Sequence, residues 1–412
     1  MEHSKRQLRR IRRDRRREKR KIHVNVYVHR FLRVLVRWVL RPLFRVHPVN
    51  HNVILRARGP FVLLINHSAV IDPLIMGMFV NKPIHFVVSD SQFRSPVMSF
   101  LLGLTGAIPK TKAISDLDTV KKIVNAKLAG GIIGIFPEGQ SSWDGHQLPL
   151  IRATDKLIKS LKIPVYAALI RGAYLSWPRW ARRFRRGRIE VVFKRILDPP
   201  QLKAMSLDQI NARVQEELSA DAFDWQQEAR THYIGPGLAE YLERVLFICP
   251  ECRRIGTLRS EGSRVICDHC GQTVRFTPQG FFKAHRGETR FQTVREWNVW
   301  QREEFLAFLD RQGASRDFCL LEEPAVLIRE GYKTMPLKEL GTGTMRLYRD
   351  RLEASLDNGG TVTFSLEQIE GMNVQNNEHL EFYADHSLFR ISTIDPRGNT
   401  YKWNLAVHHL QG

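Results

Sequence analysis

Three groups of residues in this 412-residue chain have the types and spacing that chemistry needs: His67 with Asp72 five positions on, Glu138 between Pro137 and Gly139, and the cysteine pairs Cys249/Cys252 and Cys267/Cys270. A carboxylate on one imidazole nitrogen fixes the tautomer and leaves the other nitrogen to take a proton from an alcohol. A Pro-Glu-Gly turn at the end of an apolar run holds a carboxyl rigidly, suited to substrate hydroxyls, although as structure alone it is just a turn. Two Cys-x-x-Cys knuckles with fourteen residues between them place four thiolates about one Zn²⁺, and a closed set of four makes that metal structural rather than catalytic. A pair of redox dithiols is the weaker reading of the same cysteines.

The surrounding elements must bring the first two groups together. Residues 61–65 read as a buried strand running into Asn66 and His67, and Asp72 before Pro73 reads as an N-cap with proline at the first helical position. His67 is therefore expected on a strand-to-helix loop. On a continuous helix five positions separate two side chains by about 140°, so only an irregular loop lets them meet. Alone, this string favours a loop histidine and a capping aspartate. Further strands are expected near 53–57, 85–88, 132–136, 165–170 and 189–193, and helices near 73–80, 117–128 and 153–161. Such alternation is that of an α/β layer fold, which places reactive groups on loops at the C-terminal ends of strands.

Asn66-His67-x-x-x-x-Asp72 and Phe136-Pro137-Glu138-Gly139, in this order and 71 residues apart, resemble the glycerolipid acyltransferase family typified by 1-acylglycerol-3-phosphate acyltransferase. Gly106 to Lys112 looks like the family's intermediate block, and Ile163 to Ala167 like its closing strand, so the resemblance covers roughly residues 50–200. It implies a mixed sheet flanked by helices, His67 as general base on the acceptor hydroxyl, Asp72 as its orienter, and Asn66, Glu138 and Gly139 in the substrate site. The acyl donor would be acyl-CoA or acyl carrier protein, attacked directly. No GxSxG elbow and no cysteine near these blocks offers a nucleophile for an acyl-enzyme. Two departures bear on the acceptor: Gln140-Ser141-Ser142 stands where the family commonly has Thr-Arg-Ser, and Lys112 where it has a phosphate-binding Arg. Lysine grips phosphate only as a point charge. Lys110, Lys112 and Arg152 are the phosphate candidates; 1-acyl-sn-glycerol-3-phosphate is the leading acceptor, giving phosphatidic acid, with other lysophospholipids open.

The charge of +22 is concentrated at one end: residues 1–22 hold twelve Lys or Arg against three acids, and five more Arg lie between 30 and 45. Such a segment partners a polyanionic surface. Arg30, Arg33, Arg37, Arg41 and Arg45 punctuate an otherwise apolar run, a pattern too costly for a bilayer-spanning helix and suited to one lying in the headgroup plane. Packing on the protein's own core is the plainer alternative. A second basic cluster from Arg179 to Arg188, interleaved with Trp177, Trp180 and Phe184, suits a headgroup interface or a basic turn. The basic N-terminus is not followed by the apolar run of a secretory signal, so a peripheral or monotopic position on the cytoplasmic face of a membrane is expected. The expected organisation is a disordered basic arm (1–22), a membrane-surface helix (23–47), an acyltransferase domain (48–230) with helix continuing to about 246, a zinc ribbon (231–285), and a helix plus β-rich region (286–412) with strands at 345–355, 360–366, 379–384 and 387–393, resembling a pleckstrin-homology-like module. A non-enzymatic zinc-ribbon binder of nucleic acid or another anionic surface would explain the charge and the cysteines. It leaves the paired blocks unexplained, so lipids and acyl thioesters, not nucleic acid, are the expected partners.

Overall fold

The computed structural model describes residues 24, 26–111, 117–284, 287–312 and 316–412. Its first part runs α1 (Val26–Phe44), β1 (Val46–Val49), α2 (His51–Leu55), β2 (Phe61–Ile65), α3 (Asp72–Phe79), β3 (Ile84–Ser89), α4 (Pro96–Thr105), β4 (Ile108–Lys110), α5 (Leu117–Leu128), β5 (Ile132–Ile135), α6 (Ala153–Leu161), β6 (Val165–Arg171), α7 (Ala173–Ser176) and β7 (Ile189–Leu197). Seven strands form one mixed sheet in the order β1-β7-β6-β2-β5-β3-β4. β2 is parallel to β5 and β6, β3 is parallel to β5 and β4, and β7 returns antiparallel to β6. The C-terminal ends of β2 to β6 consequently share one edge, where the loops carrying His67 and Glu138 emerge side by side.

Strands covered on both faces are apolar throughout rather than alternating. All five residues of β2 are buried. Phe61, Leu63 and Ile65 point to α1 and α3, meeting Leu40, Phe44, Ile75 and Met76, while Val62 and Leu64 point to α5, α6 and α9 (Leu207–Leu218), meeting Ile123, Ile158 and Val214. Expected and observed elements differ where tertiary packing overrides local pattern. Residues 53–57 are not a strand: α2 buries only Ile54 and starts from Asn50 in the left-handed region. The helical stretch to 246 stops after α8 (Pro199–Ala204), α9 and α10 (Ala222–Ala229), where Arg230 turns left-handed at φ 46°. Helix α4 is apolar on every side, with no helical period to reveal it, and none of its residues is buried.

Helix α1 has one face packed on the core and one left exposed. Val36, Leu40, Leu43 and Phe44 pack on the core, and Arg33 turns inward to Asn81, whereas Tyr27, Phe31, Val34, Leu35, Trp38 and Val39 remain exposed. Among the described residues no helix is long and apolar enough to cross a membrane. The basic arm lies outside the described residues. The second basic cluster is divided: Arg179, Trp180 and Arg185 are buried, the Arg185 guanidinium lying 4.8 Å from the Trp180 ring centroid, whereas Arg182, Arg183, Arg186 and Arg188 are exposed.

The cysteines sit on a four-stranded antiparallel sheet, β8 (Leu258–Glu261), β9 (Arg264–Cys267), β10 (Thr273–Phe276) and β11 (Phe282–Ala284). After α11 (Val294–Arg311), seven antiparallel strands follow: β12 (Leu321–Gly331), β13 (Lys338–Leu347), β14 (Arg351–Leu356), β15 (Thr361–Ser365), β16 (Glu370–Gln375), β17 (His379–Ala384) and β18 (Ser387–Thr393), closed by α12 (Thr400–Gln411). The run expected as one strand at 345–355 is split between β13 and β14. Cys249, Trp297, Phe305 and Trp403 belong to one continuous core, so the cysteine sheet and the terminal sheet are built together.

Candidate active site

His67 and Asp72 meet across the bend between β2 and α3. His67 Nδ1–H donates to Asp72 Oδ2 at 3.0 Å, and the same oxygen accepts the backbone N–H groups of Ser68 and Ala69 at 2.8 Å each. Asp72 is the first residue of α3 rather than its cap, and Ile71 takes the cap position. Its carboxylate folds back over the loop, which is how five sequence positions become a contact. With Nδ1 engaged, Nε2 is the nitrogen left for a substrate proton. The His67 ring packs against Phe136, centroids 4.4 Å apart. Asn66 clamps the next strand, its side chain exchanging two hydrogen bonds with the backbone of Ile170.

Glu138 ties the two loops together. Oε1 accepts the His67 backbone N–H at 2.8 Å and Oε2 accepts that of Leu148 at 3.1 Å, while Ser142 N–H donates to the His67 carbonyl at 3.1 Å. Gly139 turns at φ 72°, and a Cβ there would stand 2.5 Å from the Ile151 side chain, so only glycine makes this turn. Burial pushes the Glu138 carboxyl up to about 8, against the pull of its two amide donors and helped by the charge of Asp72. The folded chain thus keeps a proton that the unfolded chain releases near 4.5, and stability falls as pH rises from about 4.5 to about 8. Glu138→Gln is expected to remove this slope: calorimetry across that range should show the melting temperature of the variant rising relative to wild type with pH, and parallel curves would refute a buried proton.

His67, Asn66, Ser68 and Glu138 open onto a cavity of about 370 Å³, walled opposite by residues 219–222, Trp225 and Arg295. Two of the three phosphate candidates lie elsewhere. Lys110 ends β4, three strand spacings from β2, roughly 14 Å along the edge. Arg152 precedes α6 and faces solvent, 3.4 Å from Asp208. Lys112 lies outside the described residues. The cations that do line the cavity are Arg171, His146 and Arg295. Arg171 ends β6, where the strand-end rule could have found it; His146 and Arg295 are joined through Asp221, a contact that no local spacing foretells.

Arg179, which the sequence placed in a basic cluster suited to a headgroup interface or a basic turn, instead supports this site. Fully buried, it donates to Gln140 Oε1 (3.2 Å) and the Ser141 carbonyl (2.9 Å) on one side, and to the Val374 carbonyl (2.7 Å) and Asn377 Oδ1 (2.9 Å) on the other. The loop after Gly139 is thereby bolted to the β16–β17 turn, and Asn298 of α11 adds a bond to Asp144 at 2.7 Å. A buried arginine from outside the loop thus holds the loop that carries Gln140 and Ser141.

Residues 47–171 match the family model described as Acyltransferase. Among solved structures, the chain is similar to the crystal structure of the 1-acyl-sn-glycerophosphate (LPA) acyltransferase PlsC from Thermotoga maritima, at 19% identity and a TM-score of 0.40, over 47% of this chain and 80% of that one. A comparison with curated proteins gave no match. The matched segment, which contains His67, Asp72 and Glu138 in their paired blocks, is thus similar to the Acyltransferase family over residues 47–171.

Proposed function

We propose that this acyltransferase moves a fatty acyl group from acyl-CoA or acyl carrier protein to the free hydroxyl of a lysophospholipid, with 1-acyl-sn-glycerol-3-phosphate as the leading acceptor and phosphatidic acid as its product. The observation that carries this reading is the His67–Asp72 contact opening onto a cavity large enough for a polar headgroup. His67 Nε2 takes the hydroxyl proton as the acceptor oxygen bonds to the thioester carbonyl carbon. The tetrahedral intermediate collapses by breaking the C–S bond, and the departing thiolate recovers the proton from the imidazolium. Glu138, protonated near neutral pH, adds no negative charge beside an anionic acceptor, and its main office is to hold the His67 backbone. Arg171, half-exposed at the cavity wall, is the cation placed to meet the acceptor phosphate.

Cys249, Cys252, Cys267 and Cys270 are read as a structural zinc site. Their sulfur atoms lie within 4.8 Å of one another, with Cys249–Cys270 at 3.6 Å and Cys252–Cys267 at 3.7 Å. Tetrahedral Zn–S bonds of about 2.3 Å put ligand sulfurs at nearly those separations. Membrane association is read as peripheral, on the cytoplasmic face. The direct test of the function is a panel: full-length protein, labelled acyl-CoA or acyl carrier protein, and micellar lysolipids with different headgroups. Fastest transfer to lysophosphatidic acid is expected. Transfer to no lysolipid from either donor would reject the reading.

A further inference from the structure

Packing leaves one apolar area of the α/β domain open, and three elements build it. Helix α1 contributes Phe31, Leu35, Trp38 and Val39. Helix α4, which has no charged residue, contributes Val97, Met98, Phe100 and Leu101, with Val97 and Phe100 exposed by 70% and 67%. Between His67 and α3, Val70 and Leu74 are also exposed, on the short segment that carries the catalytic bend. These three elements are neighbours: α1 packs on both α3 and α4, and a Cβ on Gly106, at the end of α4, would strike the Val24 side chain that leads into α1. The surface is therefore continuous and lies on one side of the sheet. Exposed Arg30, Arg37 and Arg41 border it along one edge of α1.

We propose that this face is seated in an anionic lipid bilayer, with α4 as a second inserted element beside α1, so that the His67 loop stands at the membrane surface. Ten exposed apolar side chains on three adjacent elements call for an occupant, and the charge pattern says which. Arginines beside interfacial tryptophan and phenylalanine match phosphate headgroups above acyl chains. The bare apolar α4 matches the deeper layer. The inference rests on the acyltransferase reading in one respect, that the bilayer supplies the acceptor lipid; the surface itself stands on exposure and charge.

The test uses the full chain with phosphatidylcholine vesicles with and without phosphatidylglycerol. Val97→Ser with Phe100→Ser changes two exposed side chains, so the melting temperature should hold. Sedimentation should show vesicle binding weakened by roughly tenfold or more, since each lost apolar anchor lowers partitioning. Turnover of a lysolipid embedded in vesicles should fall in step, while turnover of a short-chain, water-soluble lysolipid stays unchanged. Leu128→Ser on α5, 77% exposed on the opposite face of the sheet, should bind vesicles as wild type does. Undiminished binding by the double variant would overturn the proposal, as would equal loss in Leu128→Ser. So would a wild-type dimer that the double variant converts to monomers, which would make the face a contact between two copies. Were no lysolipid acylated at all, the functional reading would fail while the sedimentation result still decided this one.

Discussion

His67→Ala is expected to lower kcat for acyl transfer by roughly 10²- to 10⁴-fold, the usual span for removing a general base, with little change in KM for the acceptor. The His67 ring fills no deep core position, so the variant should retain its melting temperature. Asp72→Asn is the sharper probe. In the native loop one carboxylate oxygen accepts three hydrogen bonds, from the imidazole and from the Ser68 and Ala69 amides. An amide NH₂ at that place would face donors with a donor, and an amide oxygen there would still lose the charge that stabilises the imidazolium. A kcat loss comparable to that of His67→Ala, with folding intact, would show that the pair acts as one unit. Near-normal turnover in either variant would return His67 to the status of a loop residue and withdraw the mechanism.

Removing the metal proposed for the cysteine cluster should have the largest effect on stability. Serine at Cys249 and Cys252 is expected to abolish copurification of one zinc per chain and to lower the melting temperature steeply, since a structural zinc contributes on the order of 10 kcal/mol in isolated small domains. The effect should reach the active site by a traceable route. Cys249 is buried in the same core as Trp297 of α11, and Gln301 of α11 accepts the Phe247 N–H at 2.9 Å. One turn earlier on that helix, Asn298 holds Asp144 of the loop that Glu138 anchors. Loss of activity should therefore accompany loosening of the region rather than precede it. A metal-free preparation with normal melting and full turnover would remove zinc from the account.

Much of the site was legible in the linear chain because its parts are local. A buried strand followed by Asn66-His67 and a proline-led helix dictates a bend, and a Pro-Glu-Gly turn dictates an exposed corner. The cysteine knuckles are local too, each closing within four residues. Elements that escaped notice share the opposite property. Helix α4 has no charged residue and no polar face, so no helical period marks it in the sequence. The break within 345–355 is a tight hairpin between β13 and β14, and the helix before 230 ends where Arg230 turns left-handed, neither marked by glycine or proline at the turn.

The sequence by itself determined the pairing of His67 with Asp72, the Glu138 turn, the cysteine cluster and an α/β layer to carry them, since each is set by side-chain type at short spacing. Only the tertiary structure decided which cations reach the cavity, because Arg171, His146 and Arg295 come from separate stretches that meet through the sheet order and the docking of α11. It also decided that Arg179 supports the loop instead of binding lipid. Whether an arginine is a ligand or a strut depends on desolvation and on the four acceptors assembled around it, and those lie up to 198 residues from it along the chain.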